Sequence, residues 1–323
     1  ARAEFYRKLY PNTNMICGDI TSKKVQDDIV KACRKHKGVD LLVATPPCQG
    51  MSIANAKRAE KDDPRNSLIR NVVTLVSRTK PKYVLIENVP GMSRKSTVIL
   101  DEGGASTSIM SYLMDEVGPY YDIVYRVLNA SDYGTPHHRK RLITLLSRKD
   151  CELWHHPTPC QNQITVRGCI GGLPSLESGE DSDIKWHSMK HKIHNDNHIK
   201  WMRHTPTGKT AFDNPEHFPK ILDCDIPLAK GVGWPNPPVR AYLPTRRIKG
   251  FKTTYKRMEW DEPAPTVTMA NGSVNSQNNC HPGEQMPDGT YSDARVLTIK
   301  ELIHIVGLPS DWIDDMEHTK ERE

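Results

Sequence analysis

The feature that most constrains this chain is a short apolar run closed by two prolines. Val39-Asp40-Leu41-Leu42-Val43 leads into Ala44-Thr45-Pro46-Pro47-Cys48-Gln49-Gly50-Met51-Ser52. A run of that length, stopped so abruptly, reads as a buried strand ending in a loop. Cys48 is therefore expected at the carboxyl end of a strand, where open α/β sheets bind their ligands. A second strand with a polar tip follows, Tyr83-Val84-Leu85-Ile86 and then Glu87-Asn88-Val89. If the two strands are parallel neighbours, a thiol and a carboxyl share one rim.

The rest of the first half alternates helices and strands. Phe5, Leu9 and Tyr10 suggest a short helix, and Met15-Ile16-Cys17 a strand reaching Gly18-Asp19-Ile20. Thr21 or Ser22 can cap a helix in which Val25, Ile29 and Cys33 recur at four-residue spacing. Residues 50–66 are polar and carry Lys57, Arg58, Lys61 and Arg65, as a loop would. Asn66 or Ser67 can cap a helix through Leu68, Val72 and Val76. After Gly103-Gly104 comes a helix with Ile109, Leu113 and Val117 on one face and Gly118 as its stop. Residues 121–128 and 141–146 read as an antiparallel pair at the sheet edge. The alternation argues for an α/β, doubly wound sheet.

From about residue 148 the periodicity fades and prolines, histidines and tryptophans become frequent. Residues 148–258 read as a second, irregular domain. Trp186-His187, Lys200-Trp201-Met202-Arg203-His204 and Arg246-Arg247-Ile248-Lys249-Gly250-Phe251-Lys252 interleave basic and aromatic residues, which suits either a phosphate backbone or a solvated face. The pattern recovers near Pro263, and Thr298 with Glu301 forms a capping box ahead of Leu302, Ile305 and Val306, stopping at Gly307.

With 323 residues, 26 % charged and 37 % hydrophobic, the composition is that of a soluble globular protein of two domains. No membrane span or signal peptide is expected. The eight cysteines are scattered without a framework, which favours a reducing compartment. A net charge of +6 permits a nucleic-acid partner without demanding one. Cys151, His155, His156, Cys160 and Cys280-His281 lack regular ligand spacing, so no metal is expected.

Taken together, these residues resemble the cytosine-C5 DNA methyltransferases. Pro46-Pro47-Cys48-Gln49 looks like the family's nucleophile motif, with Ser52 where a serine usually follows, and Glu87-Asn88-Val89 like its Glu-Asn-Val. Asp63-Pro64-Arg65-Asn66-Ser67-Leu68 is similar to the segment closing the active-site loop. Leu128 to Pro136 matches the lead-in to the family's Gln-x-Arg-x-Arg, here His137-His138-Arg139-Lys140-Arg141. Arg295-Val296-Leu297-Thr298 with Glu301 and Gly307-Leu308-Pro309 resembles the segment after the target recognition region. The match covers about two thirds of the chain and skips the middle. The order and spacing of the motifs make it specific.

The resemblance implies a Rossmann-like methyltransferase sheet bearing a separate target recognition domain. It divides the chain into a catalytic domain at 1–147, a target recognition domain at 148–258 and a segment at 259–323 that returns to the catalytic domain. It implies that Cys48 adds to C6 of a flipped cytosine while Glu87 meets N3. Arg141 would hold the O2 edge, and Arg139 the DNA backbone and the active-site loop. Asp19 and Ile20, with Pro46 and Leu68, would contact the adenine end of S-adenosylmethionine. Gln49, Ser52 and Arg65 would belong to the loop that closes on double-stranded DNA. Asn88 would support the backbone rather than touch substrate.

Three departures stand against the family pattern. The glycine-rich first motif and the acidic residue after the second strand are absent, and so is the terminal motif; His137 stands for the glutamine. The expectation is either a longer chain or a second polypeptide that supplies the missing pieces. The expected enzyme is a sequence-specific DNA methyltransferase of restriction–modification or phage type, in the cytoplasm of a bacterial or phage-infected cell. The alternatives are a tRNA cytosine-C5 methyltransferase, a silent DNA-binding relative, or one subunit of a split enzyme.

Overall fold

A computed structural model describes residues 2–47, 64–100, 104–190, 193–210, 213, 256–267 and 280–313. The chain divides into two compact units. The first holds the residues up to Asn129 and Lys140–Pro159, and the second Ala130–Arg139 and the residues from Cys160.

The first unit is built on a four-stranded mixed sheet in the order β1-β2-β6-β5, comprising β1 Leu41–Ala44, β2 Tyr83–Asn88, β5 Tyr121–Asn129 and β6 Lys140–Arg148. β1 and β2 run parallel in the register Leu41 to Tyr83 through Ala44 to Ile86, so their carboxyl ends coincide. β6 is antiparallel to both β2 and β5. The late hairpin thus sits at the sheet edge, as the sequence suggests. A separate short pair, β3 Val98–Leu100 and β4 Ser106–Ser108, precedes helix α4.

Helix α3, Ile69–Thr79, buries Ile69, Val72, Val73, Leu75 and Val76, and α4, Ile109–Val117, buries Ile109, Met110, Leu113 and Val117. Both pack on the sheet face that carries Val84, Ile86, Leu142 and Leu146. Each such side chain contributes about 1.5–3 kcal/mol on burial. Ser108 caps α4 by accepting the Ser111 N–H at 3.1 Å. Gly118 ends it for want of space, since a Cβ there would meet the Met114 carbonyl at 2.3 Å.

Four local expectations are corrected. Residues 15–20 form no strand among the described residues. β1 is an edge strand: Leu42 and Ala44 face the core, while Leu41 and Val43 are 47 % and 59 % exposed. α3 starts one or two residues late, because Pro64–Leu68 forms a 3-10 turn and Asn66 donates to the Val98 carbonyl rather than capping. In α2, Lys23–Lys35, the buried line is Gln26 and Val30 rather than Val25, Ile29 and Cys33. The Ser22 side chain makes no cap hydrogen bond.

Among the described residues of the second unit, the longer elements are α5 Val166–Ile170, α6 Asp196–Arg203 and α7 Ile299–Val306. Two small cores hold it. One gathers Met189, Met202, Cys280, Ala294 and Val296; the other gathers Val166, Ile170, Met258, Trp260, Ala264, Leu297 and Ile305. The Thr298–Glu301 capping box forms as expected, and Gly307 ends α7 with φ 74°.

Buried charge ties these cores together. Arg295 is fully buried, makes a bidentate pair with Glu301 at 2.8 and 2.9 Å, and reaches Asp293 at 2.8 Å. Burial alone would raise the Glu301 carboxyl, but Arg295 and the hydrogen bonds around it bring it down to about 2. Arg257, also fully buried, donates to the carbonyls of Met202, His281 and Asp293. Its own N–H bonds Lys209 O at 3.0 Å, and Gly208 N–H bonds Met258 O at 3.2 Å. These two bonds pin together the ends of residues 210–256.

Trp186 and His187 were expected on a basic aromatic surface, and they are instead core residues. His187 is fully buried between the Thr298 hydroxyl at 3.1 Å and the Pro174 carbonyl at 2.8 Å. On α6, Lys200 and Arg203 are exposed, while Met202 is buried and Trp201 packs against the same core. Residues 246–252 lie outside the described residues.

Candidate active site

The parallel pairing of β1 and β2 brings the Pro46-Pro47 exit beside the Glu87-Asn88 tip. Asn88 is buried, and its amide donates to the Pro46 carbonyl at 3.0 Å while its oxygen accepts the Val89 N–H at 2.8 Å. It therefore clips the start of the cysteine loop to the end of β2. This is the backbone-supporting role expected of it. Cys48, Gln49 and Ser52 lie outside the described residues, as does the side chain of Arg65.

Glu87 points to the opposite face from Asn88. Glu87 is opposite Ile143 and Arg141 lies two residues before it on β6, so the two side chains share a face. Arg141 Nε lies 2.8 Å from Glu87 Oε1, with the side chains 21 % and 32 % exposed. The pair is thus half-sheltered at the strand rim, open enough to meet a base. Arg141 also donates from Nη1 to the Lys140 carbonyl at 2.8 Å. Arg139 is exposed and belongs to the second unit, where its carbonyl accepts the Ala130 N–H at 3.1 Å.

The candidate cofactor residues form a linked group in the first unit. Asp19 Oδ1 accepts the Thr21 N–H at 2.9 Å and the Thr21 hydroxyl at 2.8 Å, and these bonds hold its carboxyl below the usual range. The Ile20 carbonyl accepts from Gln26 Nε2 at 2.9 Å. The same nitrogen donates to Asn71 Oδ1 at 2.9 Å, and Asn71 donates to the Leu68 carbonyl at 3.4 Å. Ile20 and Leu68 are both half-buried. Two amides, Gln26 and Asn71, thus join the Ile20 and Leu68 carbonyls, with the Asp19 carboxylate one residue before Ile20; an acceptor and two apolar residues so placed fit the adenosine end of S-adenosylmethionine. Gln26 and Asn71 escaped the sequence reading. The available signal was a glutamine four residues before Val30, on the line of α2 that proves to be buried.

Among the described residues no group of three His, Cys, Asp or Glu is arranged to hold a metal ion. Cys280 and His281 are buried in the second unit, and burial pushes the Cys280 thiol up to about 12. No helix among the described residues is long and apolar enough to cross a membrane.

A mixed sheet with helices and a carboxylate–guanidinium pair at the strand tips are features of an α/β methyltransferase. The family profile described as C-5 cytosine-specific DNA methylase matches residues 1–323, and the chain belongs to that family as an S-adenosyl-L-methionine-dependent DNA cytosine-C5 methyltransferase. It is 41 % identical over 314 residues to the type II methyltransferase M1.HgaI of Avibacterium volantium, covering 96 % of this chain and 80 % of that one. It is 27 % identical over 310 residues to the type II methyltransferase M1.HphI of Haemophilus parahaemolyticus, covering 95 % and 69 %. A prophage-encoded DNA modification methyltransferase structure from E. coli aligns with a TM-score of 0.60 at 19 % identity, covering 96 % of this chain and 80 % of that one. That likeness concerns the fold.

Proposed function

We propose that this protein methylates cytosine within a specific double-stranded DNA sequence as the modification enzyme of a restriction–modification or phage system, with Cys48 as nucleophile. The observation that carries this reading is the Glu87–Arg141 pair, set at the rim where Asn88 clips the Pro46 carbonyl. C5 of cytosine is a poor nucleophile. Addition of the Cys48 thiolate to C6 turns the ring into an enamine and makes C5 reactive. Glu87 meets N3 and relieves the charge that develops there. Arg141 fixes the Glu87 carboxylate and presents its remaining N–H groups to the O2 edge. S-adenosylmethionine, when bound, supplies the electrophilic methyl group. Loss of the C5 proton then expels the Cys48 thiolate and restores the aromatic ring.

The base must leave the duplex to be reached. Gln49, Ser52 and Arg65 belong to the loop that closes over the DNA, and Arg139 contacts its backbone. Asp19, Ile20, Pro46 and Leu68 hold the adenine end of the cofactor. Residues 1–147 form the catalytic domain on a doubly wound sheet, 148–258 the target recognition domain, and 259–323 the return segment. The enzyme works in the cytoplasm of a bacterial or phage-infected cell.

The test incubates the full-length protein with labelled S-adenosylmethionine and, separately, unmethylated duplex DNA and tRNA, with Cys48→Ser alongside. Label recovered as 5-methylcytosine in DNA, and lost in the serine variant, is the expected result. Label in tRNA alone, or none in either substrate, would overturn it.

A further inference from the structure

We propose that His137, which stands where the family has glutamine, is a positioning residue for DNA binding that locks the lead-in to Arg139 against the return segment 264–267. This rests on Arg139 being a DNA-backbone contact.

The observations lie within the second unit. Residues 136–138 and 264–267 run as a parallel clamp. The Ala264 N–H bonds Pro136 O at 2.9 Å, and the His138 N–H bonds Ala264 O at 2.7 Å. The Thr266 hydroxyl bonds His138 O at 2.6 Å. The fourth bond also uses a side chain, for Nε2 of His137 accepts the Val267 N–H at 2.9 Å. His137 is 2 % exposed and Ala264 is fully buried. The Val267 N–H is half-buried and needs a partner; Nε2 accepts it through its lone pair, so Nε2 carries no proton in this bond. A glutamine could accept the same bond through its side-chain oxygen. An apolar residue of similar size could not.

The clamp bears on DNA rather than on the cofactor. One of its strands continues directly into Arg139, whose carbonyl is fixed by Ala130. The other continues from Val267 out of the stretch between the recognition region and α7. Asp19, Ile20 and Leu68 lie in the first unit and share none of these bonds. Loosening the clamp therefore releases a DNA contact and leaves cofactor binding alone.

The test compares wild type, His137→Leu, His137→Gln and Thr266→Val in the full-length protein. Affinity for a fluorescein-labelled unmethylated duplex and for S-adenosylmethionine is measured separately, with melting temperature and label transfer recorded for each. Leaving the Val267 N–H without its acceptor is expected to weaken duplex affinity about tenfold in His137→Leu. Thr266→Val should act in the same direction and less strongly. His137→Gln should return to within about twofold of wild type, and affinity for S-adenosylmethionine should stay within about twofold throughout. Wild-type duplex affinity in His137→Leu would overturn the proposal, as would His137→Gln as weak as His137→Leu. A parallel fall in melting temperature and in affinity for both ligands would make His137 a packing residue only, and would overturn it too. A wild-type protein that binds duplex without transferring label would refute the catalytic reading, while the affinity comparison would still decide the role of His137.

Discussion

Arg141 and Glu87 meet across two antiparallel strands, Nε to Oε1 at 2.8 Å, although 53 residues of sequence from 88 to 140 separate them. Each is two-thirds or more sheltered, so the pair is neither a surface ornament nor a sealed core bridge. Glu87→Gln keeps the shape and removes the charge and the proton-sharing carboxyl. Single-turnover label transfer should fall by about a hundredfold or more, with duplex affinity little changed. Arg141→Lys should also be impaired, because an ammonium cannot reproduce the planar fork that bonds a carboxylate and a base edge together. Full activity in either variant would remove the pair from the chemistry.

The relay from Ile20 through Gln26 and Asn71 to Leu68 gives a separable prediction. Gln26→Leu preserves bulk at a buried site on α2 but cuts both bonds from Nε2. The KM for S-adenosylmethionine should rise about tenfold, while the KM for DNA stays put. An unchanged KM for the cofactor would show that Ile20 and Leu68 hold their places without the relay.

Asn88 offers a third test. Asn88→Ala frees the Pro46 carbonyl, two residues before Cys48, and strips Val89 of its partner. A nucleophile displaced by a fraction of an ångström loses rate rather than binding, so kcat should drop by about ten- to a hundredfold at constant KM for both substrates. Steady-state kinetics with each substrate varied in turn would check it.

The buried charges of the second unit set a pH dependence. His281 lies between Asp293 and Glu301, with Arg295 and Arg257 also close. Burial, reinforced by Arg295, lowers it from 6.5 to about 4. Below pH 6.5 the unfolded chain takes up a proton that the folded unit refuses, so stability is full above that pH and falls on acidification until about pH 4. At about 1.4 kcal/mol per pH unit the loss is about 3 kcal/mol. Glu301, held at about 2 against an ordinary 4.5, and Asp293, at about 2 against 3.8, extend the loss to lower pH. Urea midpoints between pH 7.5 and 4 should show the decline. His281→Asn should flatten its upper part, and a midpoint independent of pH would refute it.

Local signals in the sequence were reliable where the physics is local. The Thr298–Glu301 box needs only four residues, and the β1 and β2 strand tips follow from proline and from a charged end on an apolar run. Burial that depends on partners far along the chain was not legible. Trp186-His187 has the composition of a surface patch, yet His187 is held by Thr298, 111 residues away. The turn of α2 toward Gln26 depends on Asn71 of α3, which no spacing within α2 reveals. Of the candidate site, the place of Glu87 at the strand rim could be read from the apolar run before it, while Arg141 and Asn88 entered through the family resemblance. The Gln26 relay and the His137 clamp required coordinates.

The two backbone bonds joining Lys209 to Arg257 and Gly208 to Met258 have an evolutionary consequence. They hold the two ends of residues 210–256 side by side, at a junction secured by a buried arginine. Closing such a stretch costs little more when it lengthens, since the entropy grows only with the logarithm of its size. Insertions, deletions and wholesale exchange of this segment between homologues should therefore leave the remainder of the enzyme folded.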